Sequence, residues 1–457
     1  METTRIARTR KPAIPLPAAG GLLAEFAPAF TGPTFARAVV LALAVILTVG
    51  RRTVQNLLRT VGRLAPGHSS SYHRVFSRRR WALWPLGRTL TAYILRHFVP
   101  EGTVLLAGDD TVDEHRGDRV YGKGCHRDAV RSSHSFTAYR YGHKWVVLAV
   151  LVSFSFSSRP WALPILVALY RSPKEDEAQG RRHKTCPDLM RSLLACLLHA
   201  FPARTFRFTG DGGYGTHELA AFAHRHRDRL TLVSRFYPQA ALYDPPPART
   251  GRAGRPRKRG ARQPSPQEVV RTAPRRRTTV SWYGGGSRTV EVVTGTGQWW
   301  RTGEGLVPVR WVFVHDVTGT HRDEYFFSTH IDLPPEEIVG TYTGRWSIET
   351  TFQEMRLYVG LETTCVRTKA SVLRVAPCLF GLYSVVALLF ARLPEADRRP
   401  HVLWSGKRAV CFSDAITAVR RWLWREWVFA TPDRKPVFQD IPSDIQALLL
   451  QGLAPAA

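Results

Sequence analysis

The sequence predicts a mixed α/β protein whose core is flanked by helical regions, and three patterns support this class. Short apolar segments alternate with amphipathic helical segments over residues 103–236. Residues 278–329 are rich in Val, Trp, Tyr and Phe with Gly turns, which is typical of β-strands. Residues 22–99 and 334–393 have helical periodicity, with a break near Gly360.

The elements predicted in the core follow one another as strand, strand, strand, helix, strand, helix, strand. They are Thr103–Ala107, Lys144–Val152, Trp161–Tyr170, Asp188–Ala200, Arg204–Thr209, Glu218–His226 and Leu230–Phe236. Residues 237–277 are Pro-rich and basic and are predicted to form a surface loop. We therefore predict a helical basic region at 1–100, an α/β core at 101–236 and 330–393, a basic loop and a β-strand segment at 237–329, and a helical tail at 394–457.

The charge of the chain points to a polyanionic partner. The 457 residues contain 65 Lys or Arg and 36 Asp or Glu, for a formal net charge of +29. Nucleic acid is the usual partner of such a protein, although ribosomal-type and membrane-surface proteins share the charge. The excess is concentrated in residues 1–100 and 249–277, which frame a carboxylate-rich span. This arrangement suits an enzyme that binds a phosphate backbone and coordinates metal cations at a single site.

The cysteines and the apolar runs indicate a cytoplasmic protein. The six cysteines include no C-x-x-C pair, so neither a zinc site nor a disulfide framework is indicated. The apolar run Ala38–Gly50 is too short to span a bilayer and is predicted to be a buried helix, so no membrane partner is expected.

Two helices near the N-terminus are candidates for DNA reading. Thr34–Thr48 and Thr53–Val61 are separated by Val49-Gly50, and Thr53 is predicted to cap the second helix. The pair fits a helix-turn-helix, but any two adjacent helices share this pattern.

Two aspartates stand at the ends of predicted strands. Asp109 follows Thr103–Ala107, and Asp211 follows Arg204–Thr209 in a glycine-rich turn. Open α/β sheets place their sites at such strand ends, and two adjacent carboxylates repel unless a cation lies between them. An Asp in this position is also a common turn or cap residue.

A later helix carries a polar stripe. Tyr342, Arg345, Glu349 and Arg356 fall within a stripe about 60° wide at about 100° per residue. A charged stripe is usually a solvated face, but here an apolar flank adjoins it, which favours the edge of a site.

Together these motifs resemble the DDE transposases of bacterial insertion sequences, in the group that has a β-strand insertion before the Glu. The resemblance rests on Gly108-Asp109-Asp110-Thr111, on Gly210-Asp211-Gly212-Gly213-Tyr214-Gly215, and on the Glu helix. That helix matches a signature of Tyr, two residues, Arg, three residues, Glu, six residues, Lys. Arg356 stands where the signature has Lys, which keeps the charge and changes its geometry.

The resemblance implies a ribonuclease-H-like core in which Asp109, Asp211 and Glu349 are catalytic and bind two Mg²⁺ or Mn²⁺ ions. Asp109 is preferred to Asp110 because the family pattern is Asp, any residue, Thr. We accordingly expect Asp109→Asn to abolish cleavage and Asp110→Asn to leave it largely intact.

The resemblance also implies DNA contacts. Tyr342, Arg345 and Arg356 would contact phosphates near the cut. An aromatic residue of the β insertion, Trp282, Trp299 or Trp300, would stack on a flipped base, although β packing is the commoner role for each of them. The basic loop, with Arg255, Arg257 and Lys258, resembles a minor-groove hook or adds unspecific phosphate contacts.

These expectations describe a cut-and-paste DNA transposase associated with the nucleoid. Its partners would be double-stranded DNA, as terminal inverted repeats and as target, and a second copy of the chain on that DNA. The alternatives are a catalytically inactive, transposase-derived DNA-binding protein and a metal nuclease without strand transfer.

Overall fold

A computed structural model describes residues 17–128, 132, 135–247, 257–398, 407, 409–430 and 434–455. They divide into two compact units. The first unit takes the described residues of Met1–Tyr93, His115–Lys123 and Glu354–Ala457, and the second takes those of Ile94–Glu114 and Gly124–Gln353.

The N-terminal part of the chain is helical, as predicted. The helices are α1 (Pro17–Ala24), α2 (Gly32–Leu47), α3 (Val54–Val61), α4 (Ser69–Ser77) and α5 (Leu83–Phe98). The side chain of Thr53 accepts a hydrogen bond from the backbone N–H of Asn56, so the predicted cap of the second helix is confirmed.

The predicted order of core elements is confirmed in the second unit. The elements are β1 (Val104–Glu114), β2 (Gly124–Arg127), β3 (Tyr139–Val152), β4 (Trp161–Tyr170), α6 (Pro173–Glu177), α7 (Cys186–Ala200), β5 (Phe206–Gly210), α8 (His217–Arg225) and β6 (Leu230–Arg235). The prediction ended β1 too early, because β1 continues past Asp109 to Glu114 by pairing with the long strand β3.

The predicted loop at 237–277 contains regular structure. The elements within it are β7 (Leu242–Tyr243), α9 (Pro266–Thr272) and the start of β8 (Arg276–Ser281). The region 278–329, which was predicted to be rich in strands, contains the rest of β8, β9 (Ser287–Arg301), β10 (Gly305–Asp316) and β11 (Glu324–Ser328). The helix α9 was missed although its start is encoded locally. Ser265 and Glu268 form a reciprocal capping box, and Pro266 lies in the first turn.

The described strands form one sheet of eleven. Its order is β2-β3-β1-β5-β6-β11-β10-β9-β7, with β4 also beside β3 and β8 beside β9. Strand β1 is antiparallel to β3 and parallel to β5, and β5 is parallel to β6. The observed class is therefore mixed α/β.

The segment predicted as one long helix before Gly360 is divided. It consists of α10 (Pro335–Gly344), α11 (Ser347–Glu354) and a π-helical turn, Met355–Val359. The remaining helices are α12 (Lys369–Arg392), α13 (Glu395–Arg398), α14 (Phe412–Leu423), α15 (Lys435–Gln439) and α16 (Ser443–Leu453). A uniform turn of about 100° per residue therefore does not hold from Tyr342 to Arg356.

The core of the first unit forms where helices from both ends of the chain meet. Helix α2 packs against α3, α4 and α14, and α12 packs against α4 and α14. Among the described helices, α12 alone is long and apolar enough to cross a membrane, and 67% of its apolar window is buried inside the protein.

Asp316, at the end of β10, closes the turn before β11. Its buried carboxylate accepts from Arg288 Nη1 at 2.7 Å, Thr318 Oγ1 at 2.8 Å and the backbone N–H of His321 at 3.1 Å. Although burial raises the pKa of Asp316, hydrogen bonds from Thr318, Thr320 and His321 lower it below its usual range. The carboxylate form is therefore strongly favoured in the folded protein.

We expect Asp316→Asn to lower the free energy of unfolding by about 2–3 kcal/mol at pH 7, because the amide loses charge-assisted hydrogen bonds. The native pKa lies below the unfolded value of about 3.9, so this stability is present above that value and lost as the pH falls through the native pKa. Urea unfolding at pH 7 and pH 3 measures the difference, which should shrink at pH 3. A difference that is constant with pH would contradict this role.

Candidate active site

Asp109 and Asp211 lie side by side at one edge of the sheet. The parallel pairing of β1 with β5 ends at Gly108 opposite Gly210, and an aspartate follows each glycine. Asp211 begins a tight turn, in which its Oδ1 accepts from the backbone N–H of Gly213 at 2.9 Å. The two carboxylates predicted from strand ends are therefore neighbours.

The glycines before the two aspartates are required by close packing. A Cβ on Gly108 would lie 2.4 Å from the ring of Phe208, and one on Gly210 would lie 2.6 Å from Cβ of Tyr214. Any side chain at either position would displace the strand end that carries the aspartate.

Glu349 is joined to Asp109 by an arginine. Arg345 Nη1 donates to Asp109 Oδ2 at 3.0 Å, and Arg345 Nη2 donates to Glu349 Oε1 at 2.8 Å. The helix α11 that carries Glu349 is tied to the sheet, because Thr351 Oγ1 donates to the carbonyl of Ala162 on β4 at 2.9 Å. The predicted trio thus converges on one place, with a guanidinium between two of its carboxylates.

The carboxylates of the site are stabilised by nearby positive charge. Burial raises the pKa of Asp109 to about 8, and repulsion from Asp211 and Asp110 adds to the rise, while Arg345 opposes it. Burial alone would lower the pKa of Arg345, but Asp109, Tyr342 and Glu349 raise it. The side chain of Glu349 is 46% exposed, so the site is open to solvent on that side.

Asp110 points away from Asp109. Neighbouring residues of a strand face opposite sides of the sheet. The Oδ2 atom of Asp110 lies 2.8 Å from Lys144 Nζ, and its Oδ1 accepts from the hydroxyl of Tyr214 at 3.2 Å. Both of its carboxylate oxygens therefore have partners on the face away from Arg345.

Tyr342 has a buried side chain in this structure. It was expected to contact a phosphate, but it is 1% exposed and belongs to a core cluster, with its ring 4.4 Å from that of Phe326. The guanidinium of Arg345 lies over its ring at 5.4 Å and that of Arg235 at 5.7 Å. The ring packs inward because α10 lies on the insertion strands, and it supports two arginines.

Arg235 is a site residue that the sequence analysis missed. It ends β6, its side chain lies against Gly212 in the Asp211 turn, and it forms an ion pair with Glu324. The carboxyl ends of parallel strands meet at one edge of a sheet. The position of Arg235 at the end of a predicted strand could therefore have identified it as a site residue.

Arg356 lies in the π-helical turn and belongs to the first unit. Its Nε is 3.2 Å from Glu362 Oε1. Its expected phosphate contact stays a prediction.

Trp299 is placed differently from its expected role. It is 6% exposed, and its ring packs against Phe236 at 5.2 Å and His217 at 4.9 Å. Trp282 is also buried, and Arg259 lies over the half-buried Trp300 at 5.2 Å. The rings of Phe236 and His217 cover Trp299, so its side chain serves core packing in this structure, and its stacking on a base stays a prediction.

The basic loop is described only in part. Arg255 lies outside the described residues, and Arg257 and Lys258 are both exposed. Their contact with DNA stays a prediction.

The three carboxylates and their arginines define a chemical class of site. A mixed α/β fold holds three carboxylates at an open edge, with arginines beside them: one lies on a strand, one in the turn after a strand and one on a helix. All-oxygen ligands with excess negative charge suit hard divalent cations such as Mg²⁺ and Mn²⁺.

Comparison with known proteins agrees with this class. Residues 25–289 match the family described as DDE superfamily endonuclease, and residues 299–382 match the family described as archaeal putative transposase ISC1217. The first match covers more than half of the chain, so the chain belongs to the DDE superfamily endonucleases. This is a family of nuclease-type enzymes.

A piggyBac transposase synaptic complex with hairpin DNA, solved by cryo-EM, is 11% identical with a TM-score of 0.39, over 96% of this chain and 81% of that chain. That likeness is too low to support a shared fold. No curated protein matches the chain.

Proposed function

We propose that this chain is a DNA transposase that cuts transposon ends and joins them to target DNA, with Asp109, Asp211 and Glu349 as its catalytic carboxylates. The observation that carries the proposal is the grouping of these three side chains: Arg345 bonds Asp109 and Glu349, and Asp211 lies close enough to Asp109 to raise its pKa. The match of residues 299–382 to a transposase family supports transposition over simple nuclease activity.

The proposed cofactors are two Mg²⁺ or Mn²⁺ ions. The site fits them because Asp109 and Asp211 repel each other when both are charged. A bound cation would offset this repulsion and would lower the raised pKa of the buried Asp109. When bound, such ions stabilise the attacking and leaving oxygens of an in-line phosphodiester displacement.

The remaining side chains have proposed roles in holding the site and the DNA. Arg345 keeps Asp109 and Glu349 together, and its neighbour Arg235 is placed beside the Asp211 turn to contact a phosphate of the bound strand. Tyr342 orients both guanidiniums by offering its ring to them.

A ribonuclease-H-like core is proposed for the catalytic fold. It is supported by the run β4-β3-β1-β5-β6 in the sheet. In that run β3 is antiparallel to both β4 and β1, β5 is parallel to β1, and β6 is parallel to β5.

We propose that basic surfaces away from the site bind the DNA duplex. The α2–α3 pair is the candidate reader in the region 1–100, and Arg257, Lys258 and Arg356 are candidate phosphate contacts. Terminal inverted repeats and target DNA are the proposed partners, and two copies of the chain would act together on two ends. Such a protein would work in the cytoplasm, on the nucleoid.

The test is cleavage of a labelled DNA duplex carrying the repeats that flank the gene. We expect the full chain to cut at the repeat end only when Mg²⁺ or Mn²⁺ is present, and the Glu349→Gln variant to bind the duplex without cutting it. Binding without cleavage by the unaltered chain in either metal would instead support a transposase-derived DNA-binding protein. Cleavage without joining to target would support a metal nuclease.

A further inference from the structure

We propose that Tyr214 and Asp110 are positioning residues that fix the spacing between Asp109 and Asp211, and that Lys144 holds Asp110 in place for them. This inference rests on the proposed metal-dependent function and adds three residues to it. None of the three is on the side of the sheet that Arg345 occupies.

Beyond the backbone pairing of β1 with β5, a side-chain hydrogen bond links the two chain segments that carry the catalytic aspartates. Tyr214 lies three residues after Asp211, and its backbone N–H donates to the Asp211 carbonyl at 3.0 Å, which closes the turn. Its hydroxyl donates to Oδ1 of Asp110, at 3.2 Å, and Asp110 directly follows Asp109. A displacement of either aspartate backbone would therefore stretch this bond.

The ring of Tyr214 is a rigid spacer. It is 1% exposed, and it packs so closely on the backbone before Asp211 that Gly210 has no room for a Cβ. Tightly packed buried side chains do not adjust without cost.

Lys144 completes the arrangement from the neighbouring strand. Its Nζ is 2.8 Å from Asp110 Oδ2, and it lies 5.6 Å from the centre of the Tyr170 ring. Although burial lowers the pKa of Lys144, Asp110 raises it above its usual value, so the ammonium stays charged. The Asp110 carboxylate is thus held between a cation on β3 and a phenol from the Asp211 turn.

Such second-layer contacts affect metal binding because carboxylate ligands must be held within about 0.5 Å of the required geometry. Loss of an outer hydrogen-bond partner commonly weakens metal affinity by about 10–100-fold. We therefore expect a substitution in this network to weaken metal binding more than it lowers the stability of the fold.

The experiment measures Mn²⁺ binding to the full chain by isothermal titration calorimetry, with thermal unfolding recorded beside it. We expect Tyr214→Phe to weaken Mn²⁺ binding about tenfold. The control is Tyr383→Phe in the first unit. It also removes the hydroxyl of a buried tyrosine that donates to a carboxylate, because the Tyr383 hydroxyl lies 2.6 Å from Glu354 Oε2. The control should lower the unfolding temperature without changing Mn²⁺ affinity.

A second variant, Lys144→Met, leaves the Tyr214 ring in place and should weaken Mn²⁺ binding several-fold. The inference is overturned if both variants bind Mn²⁺ as the unaltered chain does, or if Tyr383→Phe weakens binding as much as Tyr214→Phe. If the unaltered chain binds no Mn²⁺, the proposed metal site fails together with the inference. Normal binding by the unaltered chain and by both variants removes the inference alone.

Discussion

Asp109→Asn is expected to lower metal-dependent DNA cleavage by about 1,000-fold or more, whereas Asp110→Asn should stay within about tenfold of the unaltered chain. The reason lies in the direction of the two side chains. Asp109 faces Arg345 and Asp211, and an amide there removes a ligand charge from the centre of the site. Asp110 faces Lys144 and Tyr214, and an asparagine keeps an oxygen that can accept from the phenol.

The measurement is single-turnover cleavage of labelled repeat-end DNA at saturating protein, with binding of the same DNA checked by gel shift. Both variants should bind the duplex normally, which separates a chemical defect from a binding defect. Loss of cleavage in Asp110→Asn with normal cleavage in Asp109→Asn would reverse the assignment of the catalytic aspartate.

Arg345→Met is expected to reduce cleavage about 100-fold, and Arg345→Lys to restore only a small part of that loss. The planar guanidinium bonds two carboxylates at once, and a lysine ammonium on a flexible stem cannot reproduce that geometry. Without it, Asp109 and Glu349 lose the group that holds them together, and the remaining carboxylates repel one another.

The same single-turnover assay tests this prediction, with a titration of Mg²⁺ for each variant. Arg191→Met is the matched control, because Arg191 pairs with Asp188 at 3.0 Å on an exposed helix face of the same unit. Cleavage by Arg345→Met within threefold of the control would show that the arginine is not needed to hold the site.

The proposed catalytic trio was accessible from local sequence. Asp109 and Asp211 each follow a short apolar run and a glycine, and Glu349 stands four residues after Arg345 in a segment with helical periodicity. These are short-range patterns, set by strand alternation, turn chemistry and helical spacing, and the structure brings the three residues together.

The roles of single aromatic residues were harder to predict from the sequence. Tyr342 and Trp299 have the chemistry for DNA contact, yet both are buried, since their exposure depends on which strands and helices cover them. Arg235 and Lys144 were missed for the same reason: their importance comes from partners on other strands.

Short stretches of this chain specify several properties on their own: the charge, the succession of strands and helices along the chain, the helix cap at Thr53 and the three carboxylates. The pairing of β6 with β11, the burial of Tyr342, and the packing of α2 against α14 depend on contacts between residues far apart in the chain. Such contacts form only when the whole chain has excluded water from a shared core. Local periodicity carries no information about which distant surfaces will meet, so these features became visible only in the folded structure.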